Sequence, residues 1–192
     1  MPAPNPAALD FLMTRRSHPA RTLAAPAPDR AALAPLLTAA LRVPDHGKLE
    51  PWRLVVLERR ALDRLAALAA SRAAALGLAP DRAAKGISQF AESPLAVAVV
   101  SAPVVSDKVP LVEQVHSAAC VALSLTNAAL AAGWGAAWLT GWPAYDRPFL
   151  AEGLALTEGE SLVGFVHVGS ADGAPPERPR PDLATRVRWD AA

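Results

Sequence analysis

Apolar residues along the chain follow two kinds of spacing, helical and extended, which alternate from one end to the other. Asn5 can cap a first helix that opens with a proline. Asp29 can cap a second helix, in which apolar residues recur at the i, i+3, i+4, i+7 spacing over residues 33–41. The pattern predicts a third helix around residues 62–69 and a long one over residues 113–132. The apolar positions of the first three helices are Leu9, Leu12 and Met13, then Leu33, Leu36, Leu37, Ala40 and Leu41, then Leu62, Leu65, Leu68 and Ala69.

Short apolar and β-branched runs between these helices predict strands. They cover residues 54–57, 95–100, 136–139 and 162–168, and the first two follow prolines that mark the start of an element. Because strands are separated by helices, the order favours a layered sheet of the α/β or α+β class over an all-α bundle.

The segment 118–132 is apolar nearly all round, which is typical of a buried helix or of a membrane span. Ser124, Thr126 and Asn127 interrupt it, and it falls short of the roughly 20 apolar residues that a span requires. Its small side chains would let another helix approach closely. We therefore predict a core helix, one that a partner subunit could share.

Composition bounds the class of protein. The 192 residues suit a single domain over 1–192, in which residues 1–4 and about 174–192 lack periodicity and are predicted to form an arm and a tail. A net charge of +1 favours neither nucleic acid nor membrane as a partner. The lone Cys120 excludes an internal disulfide. No secretory leader pattern is recognisable, so we expect a cytoplasmic protein.

The common catalytic motifs do not occur. The chain has no phosphate-binding glycine loop of the Walker type, no G-x-S-x-G elbow and no His-x-x-x-His pair, and its four histidines are too scattered to predict a metal site. Gly133-Trp134-Gly135 superficially resembles a dinucleotide fingerprint. It lacks the third glycine, however, and it follows a helix and opens a strand, which inverts the required order. Gly133 is better interpreted as a helix stop.

Two arginine-containing stretches are candidates for an anion site. Arg15-Arg16-Ser17 follows the first predicted helix, and Arg42 follows the second, ahead of a turn that contains His46. Guanidinium groups beside small polar donors suit a fixed, doubly charged anion. The alternative is that the arginines complement helix dipoles and that the histidine is an ordinary solvated loop residue. The residue types alone leave both interpretations open.

Two further stretches could border such a site. Trp138-Leu139-Thr140-Gly141 places an aromatic ring and a hydroxyl at the end of a predicted strand, where ligands often bind. The alternative for the tryptophan is a core or interface position. Arg178-Pro179-Arg180 could be a solvated tail, or it could fold back over a phosphate.

The order of the motifs carries more information than any one of them. They are Arg-Arg-Ser at 15–17, Arg-x-Pro-Asp-His and Pro-Trp between 42 and 52, Lys-Val-Pro at 108–110 with Glu113-Gln114, Ala-Ala-Gly-Trp-Gly at 131–135 with Trp138, and Leu-Val-Gly-Phe at 162–165 with Gly169. This ordered set resembles the nitroreductase family of flavoproteins, in particular its small, minimal bacterial branch. The resemblance runs from residue 9 to about 181.

The resemblance implies an α+β fold with a central, mainly antiparallel sheet flanked by helices, and an intertwined homodimer with FMN at the interface. It implies that Arg15, Arg16 and Ser17 hold the FMN phosphate and ribityl region and that Arg42 and His46 reach the flavin from the other subunit. By the same resemblance the flavin ring would be lined by Trp138, Leu139, Thr140 and Gly141, and Arg180 would add a phosphate contact. Leu139 departs from some relatives, which carry a basic residue there.

The activity that the resemblance implies is an FMN-dependent oxidoreductase. NADH or NADPH would give a hydride to flavin N5, and a nitroaromatic or quinone acceptor would then take the electrons in a ping-pong mechanism. Because flavin carries this chemistry, the protein needs no catalytic residue of its own, which agrees with the missing motifs. The alternatives are a flavin carrier or sensor without turnover, a flavoenzyme of the same fold acting on one specific small molecule, and a structural dimerisation domain.

Overall fold

A four-stranded antiparallel sheet lies between two layers of helices in the computed structural model, which describes residues 3–190. The strands are β1 (Trp52–Leu57), β2 (Ala96–Ser101), β3 (Gly135–Leu139) and β4 (Ser161–Gly169), paired in the order β1-β2-β4-β3. The α+β class and the antiparallel sheet are thereby confirmed. Met1 and Pro2 of the expected arm, and the last two alanines of the expected tail, lie outside the described residues.

The described part of the chain contains seven α-helices. They are α1 (Pro6–Thr14), α2 (Arg30–Ala40), α3 (Arg59–Ala75), α4 (Pro80–Ala91), α5 (Leu111–Ala131), α6 (Arg147–Leu154) and α7 (Leu183–Arg186). Short 3₁₀ turns cover Ala20–Thr22, His46–Lys48 and Trp142–Tyr145.

The alternation of β2 shows how the two cores are built. Ala96, Ala98 and Val100 face a core made with α3, α4 and α6, whereas Val97 and Val99 face a second core made with α2 and α5. All six residues of this strand are buried. A strand that is covered on both faces needs a continuous apolar run, which is the pattern that predicted it.

The predicted helix boundaries have the expected chemistry. The Asn5 side chain accepts a hydrogen bond from the Ala8 amide at 3.1 Å, and Asp29 accepts one from the Ala32 amide at 2.8 Å. Gly133 ends α5 with φ +84°, and the next residue, Trp134, donates its amide to the Ala129 carbonyl at 3.0 Å. This pairing is the Schellman arrangement, so the interpretation of Gly133 as a helix stop is confirmed.

Helix α5 forms the main support of one core. One of its faces is buried from Gln114 to Ala129, against α2 and the sheet. Among the described residues, no helix combines the length and the apolar character needed to cross a membrane. The prediction of a core helix is confirmed.

Two features differ from the sequence prediction. Helices α4, α6 and α7 were not predicted, although Asp146 caps α6 by accepting from the Phe149 amide at 3.2 Å. Helix α1 forms as predicted, but none of its residues is buried in the chain. Its apolar positions Leu9, Leu12 and Met13 are more than half exposed.

Candidate functional site

The stretch Arg15-Arg16-Ser17 leaves α1 and is fixed against β3. The helix ends at Thr14 and has no basic residue in its last turn, so the arginines lie beyond it and do not complement its dipole from within. Directly after the stretch, the His18 amide donates to the Ala136 carbonyl of β3 at 3.0 Å. The chain therefore places both arginines at the edge of the sheet.

Arg15 is a partly buried cation with an incomplete set of partners. Its Nη2 donates to Ser17 Oγ at 2.9 Å, whereas its Nε is buried and has no hydrogen-bond partner among the described residues. Burial lowers the pKa of the guanidinium, and the nearby charges of Arg180 and Arg16 lower it further. An anion at this position would supply the missing acceptor and offset the repulsion between the cations.

The tail folds back onto the same arginines. Glu177 Oε1 lies 3.5 Å from Arg16 Nη1 and accepts from Arg180 Nε at 3.0 Å. Arg16 also donates to the Pro176 carbonyl, and His18 Nε2 lies 3.3 Å from the carbonyl oxygen of Gly173. The tail has no helix or strand before α7, yet these contacts hold it beside the arginine stretch.

Two adjoining cavities, of about 450 and 510 Å³, open at this place. Arg15 lines the smaller one, Arg16 lines both, and Trp138 and Leu139 at the end of β3 line the larger one. The structure thus brings Arg15, Arg16, Ser17, Trp138 and Leu139 together around one surface, with Arg180 close by. We call these two adjoining cavities the arginine cavity.

Trp138 has a fixed position on the sheet. Its Nε1 donates to the Val163 carbonyl at 3.2 Å, and the next residue of β4 is Gly164. A Cβ atom at Gly164 would lie 2.2 Å from Trp138 Nε1, so only glycine permits this approach. Thr140 and Gly141 continue the chain from β3 but line neither part of the arginine cavity.

The second arginine stretch is fixed elsewhere. His46 lies in a tight turn, in which the Asp45 carboxylate accepts from the Leu49 and Glu50 amides at 3.2 and 2.9 Å. The turn is tied to α5, because Ser117 Oγ donates to the Pro44 carbonyl at 2.6 Å. These hydrogen bonds anchor the turn on α5.

Two non-glycine residues of this turn adopt an unusual backbone conformation. Lys48 and Glu50 have φ of +55° and +47°, in the left-handed region that such residues seldom occupy. Backbone of this kind persists only where surrounding contacts impose it, and it is frequent at functional sites.

His46 is oriented by a residue that sequence reasoning did not assign to the site. Its Nδ1 lies 2.7 Å from Glu113 Oε2, at the start of α5. Both side chains are exposed, and so is Arg42. The neighbouring Gln114 fixes the preceding loop, because it exchanges two hydrogen bonds with the Val104 backbone at 2.9 and 3.0 Å. Glu113 and Gln114 belong to one of the ordered motifs, which was the available signal for them.

His46 of the second arginine stretch does not reach the arginine cavity within one chain. His46 contacts Glu113, whereas the arginine cavity is lined by Leu130, seventeen residues further along α5. At 1.5 Å per residue, this places them about 25 Å apart along the helix axis. A single cofactor-sized site cannot include both the arginine cavity and His46 of the same copy of the chain. Arg42 lies between the two, because its amide and Ser124 Oγ of α5 both donate to the Ala39 carbonyl, at 3.2 and 3.3 Å.

Fold and cavity together define an α+β protein with a cation-lined cleft at the end of a strand, the arrangement of a protein that binds a phosphorylated small molecule. The chain belongs to the nitroreductase family, whose family model matches residues 12–170. The resemblance inferred from the ordered motifs is confirmed.

Comparisons with individual proteins agree with this assignment. The chain is 34% identical to the Escherichia coli K12 protein named "Putative NAD(P)H nitroreductase YdjA", over 85% of this chain and 87% of that protein. It is 32% identical to a Haemophilus influenzae protein named "Putative NAD(P)H nitroreductase", over 85% of this chain and 88% of the relative.

Solved structures show the same fold. A nitroreductase-like family protein from Bacillus cereus superposes with a TM-score of 0.78 over 98% of both chains, at 23% identity. An FMN-dependent nitroreductase from Clostridium difficile R20291 superposes with a TM-score of 0.69 over 95% of this chain and 99% of that one, at 18% identity.

Proposed function

We propose that the protein is an FMN-dependent oxidoreductase that takes reducing equivalents from NADH or NADPH. The observation that carries the proposal is Arg15, a partly buried cation with an unpartnered Nε beside two further arginines. A phosphate dianion fits this donor set, because it offers several acceptors and compensates clustered charge. The family membership and the names of the relatives support the same choice of electron donor.

The residues that would hold FMN follow from the arginine cavity. Arg15, Arg16 and Ser17 would bind the phosphate and the ribityl chain, with Arg180 as an additional phosphate ligand. Trp138 and Leu139 border the larger part of the cavity and would contact the flavin ring, as would Thr140 and Gly141 just beyond them.

A homodimer would complete the site with Arg42 and His46 of a second copy. The separation of about 25 Å along α5 between His46 and the arginine cavity supports this arrangement, since one chain cannot bring its own His46 to that cavity. The exposed apolar side chains of α1, and Leu111, Val115 and Leu123 on α5, support an interface that covers both helices. The expected intertwining of the subunits belongs to this proposal.

Bound FMN would supply the hydride chemistry, so the protein's part is binding, orientation and electrostatics. The cations would neutralise the phosphate. Glu113 would orient His46, and the Trp138 indole would be held by its bond to the Val163 carbonyl. Electron donor and acceptor would use the same open face in turn, which is a ping-pong sequence, with nitroaromatics or quinones as acceptors.

The absorbance spectrum of the purified protein tests this proposal. We expect a flavin spectrum, with FMN released on denaturation, and bleaching when NADH or NADPH is added without oxygen. A colourless protein that takes up no added FMN would refute it. A flavoprotein that neither nicotinamide bleaches would instead be a carrier or sensor. Bleaching without turnover of nitroaromatics or quinones would favour a flavoenzyme that acts on one specific small molecule.

A further inference from the structure

A third cavity, of about 260 Å³, opens beside the arginine cavity, between α4 and the 3₁₀ turn Ala20–Thr22. Leu139, Pro19 and Ala20 line both it and the larger part of the arginine cavity, so the two are neighbours. The remaining lining comes from the turn and from α4 and the residues that follow it. These residues are Arg21, Lys85, Ser88, Gln89, Glu92 and Ser93. We call this space the α4 cavity.

Gln89 is the polar side chain that is least satisfied in the α4 cavity. The residue is only 8% exposed, and its Nε2 donates to the Gly86 carbonyl at 3.3 Å. Its Oε1 is buried and has no hydrogen-bond partner within residues 3–190. A buried acceptor without a donor is costly, so a ligand that brings an O–H or N–H group would be favoured here.

The charges around the α4 cavity favour an anion. Arg21 and Lys85 are cations and Glu92 is the one carboxylate of the lining. None of the three forms an ion pair with another described residue. A carboxylate on the ligand would find two uncompensated cations at the rim.

Ser93, in the lining of the α4 cavity, adds no charge. Ser93 Oγ donates its hydrogen to the Leu95 carbonyl at 3.0 Å. His167 Nδ1 lies 2.9 Å from Ser93 Oγ and therefore donates to it. Burial lowers the pKa of His167 to about 4, which keeps the ring neutral near pH 7. Ser93 is therefore already engaged, and Gln89 remains the unsatisfied group.

We propose that the α4 cavity is the subsite for a small aromatic acid, the electron acceptor of the enzyme. Its carboxylate would pair with Lys85 and Arg21, and a hydroxyl or amino group on the same ring would donate to Gln89 Oε1. The volume suits one substituted ring, since it lies just below the roughly 300–1,000 Å³ of sites for larger ligands. The inference rests on the proposed function, because it names the acceptor class for the same site.

Calorimetric titration of the purified holoprotein measures this subsite without turnover. We expect 4-hydroxybenzoate to bind about fivefold more tightly than benzoate, through its hydrogen bond to Gln89, and neutral benzamide to bind more weakly than benzoate. Lys85→Gln should weaken benzoate about threefold, and adding Arg21→Gln about tenfold in total. Gln89→Leu should remove the difference between 4-hydroxybenzoate and benzoate. Arg82→Gln is the matched control, since Arg82 is exposed on the same helix and does not line the cavity.

Steady-state turnover tests whether the α4 cavity binds the electron acceptor. With NADPH, the wild type should show a lower KM for 4-nitrobenzoate than for its methyl ester, and Lys85→Gln should reduce that preference without changing the ester. Equal benzoate affinity in the wild type and Lys85→Gln would overturn the inference. A Lys85→Gln effect on the KM for NADPH alone would also overturn it, because the cations would then bind the electron donor's phosphate.

The failure of the proposed function would look different. A protein without FMN, or one whose flavin neither NADH nor NADPH bleaches, would refute the enzyme assignment and with it the acceptor role. Intact turnover with no preference for the acid would leave the oxidoreductase standing and refute only the acid subsite.

Discussion

Arg15 lies in surroundings that oppose its own charge. Burial lowers its pKa, Arg180 and Arg16 lower it further, and its Nε has no acceptor among the described residues. The bond to Ser17 Oγ satisfies only one of its five donors. The unpartnered guanidinium lowers the stability of the free protein, and a bound anion would restore that stability.

Replacing Arg15 by alanine should therefore weaken FMN binding without unfolding the protein. Losing a charge-assisted bond to a phosphate, worth about 1.5–3 kcal/mol, should raise the Kd of FMN by about tenfold to a hundredfold. Quenching of FMN fluorescence measures the Kd, and thermal unfolding of the apoprotein should show equal or higher stability. The control is Arg82→Ala, an exposed arginine outside the cavities. Unchanged FMN affinity in Arg15→Ala would mean that the phosphate binds elsewhere.

A different ion pair sets the response of the fold to acid. The hydrogen bond from Arg53 lowers the pKa of Glu160 to about 2, and the two side chains meet at 2.6 and 2.8 Å. Since the pKa is lowered from an ordinary 4.5, the pair stabilises the fold fully above that value. Its contribution decreases as the pH falls through the interval towards 2.

Arg53→Gln should cost about 2 kcal/mol of unfolding free energy at pH 6, and this difference from the wild type should shrink steadily as the pH is lowered to about 2. Urea unfolding at several pH values measures it. Arg30→Gln is the matched control, because Arg30 pairs with Glu58 at 3.2 Å with both side chains largely exposed, and it should cost little at any pH. A cost for Arg53→Gln that is independent of pH would assign the effect to packing instead.

At the scale of elements, periodicity predicted most of the secondary structure. The apolar runs located all four strands within two residues of their observed ends, and capping residues located α1 and α2. Helix α4 was missed because Gly86 interrupts it and its apolar residues are few. That glycine is required by packing, since a Cβ there would lie 1.9 Å from Trp142 Nε1, a contact between elements that no local pattern contains.

The end of α5 offers a test of backbone conformation separated from packing. Gly133 has φ +84° and open space around its Cα, so a methyl group added there would meet no atom within 4 Å. Gly133→Ala should still cost about 1 kcal/mol, the penalty of an L-residue in the left-handed region. Gly159→Ala is the control, because its surroundings are equally open and its φ lies outside that region. Equal unfolding free energies for the two variants would contradict the Schellman interpretation.

At the scale of the whole molecule, the residue types left the candidate site open, and the family resemblance grouped its residues. Arg15 to Ser17, Trp138 and Leu139 line one surface, and their contact with FMN stays a prediction. The sequence alone could not tell that His46 lies at the far end of α5 from the arginine cavity, because that separation is set by the packing of the whole helix. The exposed apolar face of α1 has the same origin, since its periodicity shows an apolar face but not which surface covers it.

The central claim is that one FMN site is built from two copies of the chain. Arg15→Ala and Arg42→Ala subunits, given different affinity tags and co-expressed, can be purified as doubly tagged dimers. Because each substitution weakens FMN binding, each homodimer should lose most of its FMN on dialysis, whereas the mixed dimer contains one site with both arginines intact and one with neither. The account predicts about half of the wild-type FMN content in the mixed dimer, as two-fold symmetry requires. A doubly tagged dimer without FMN, or no doubly tagged species, would contradict it.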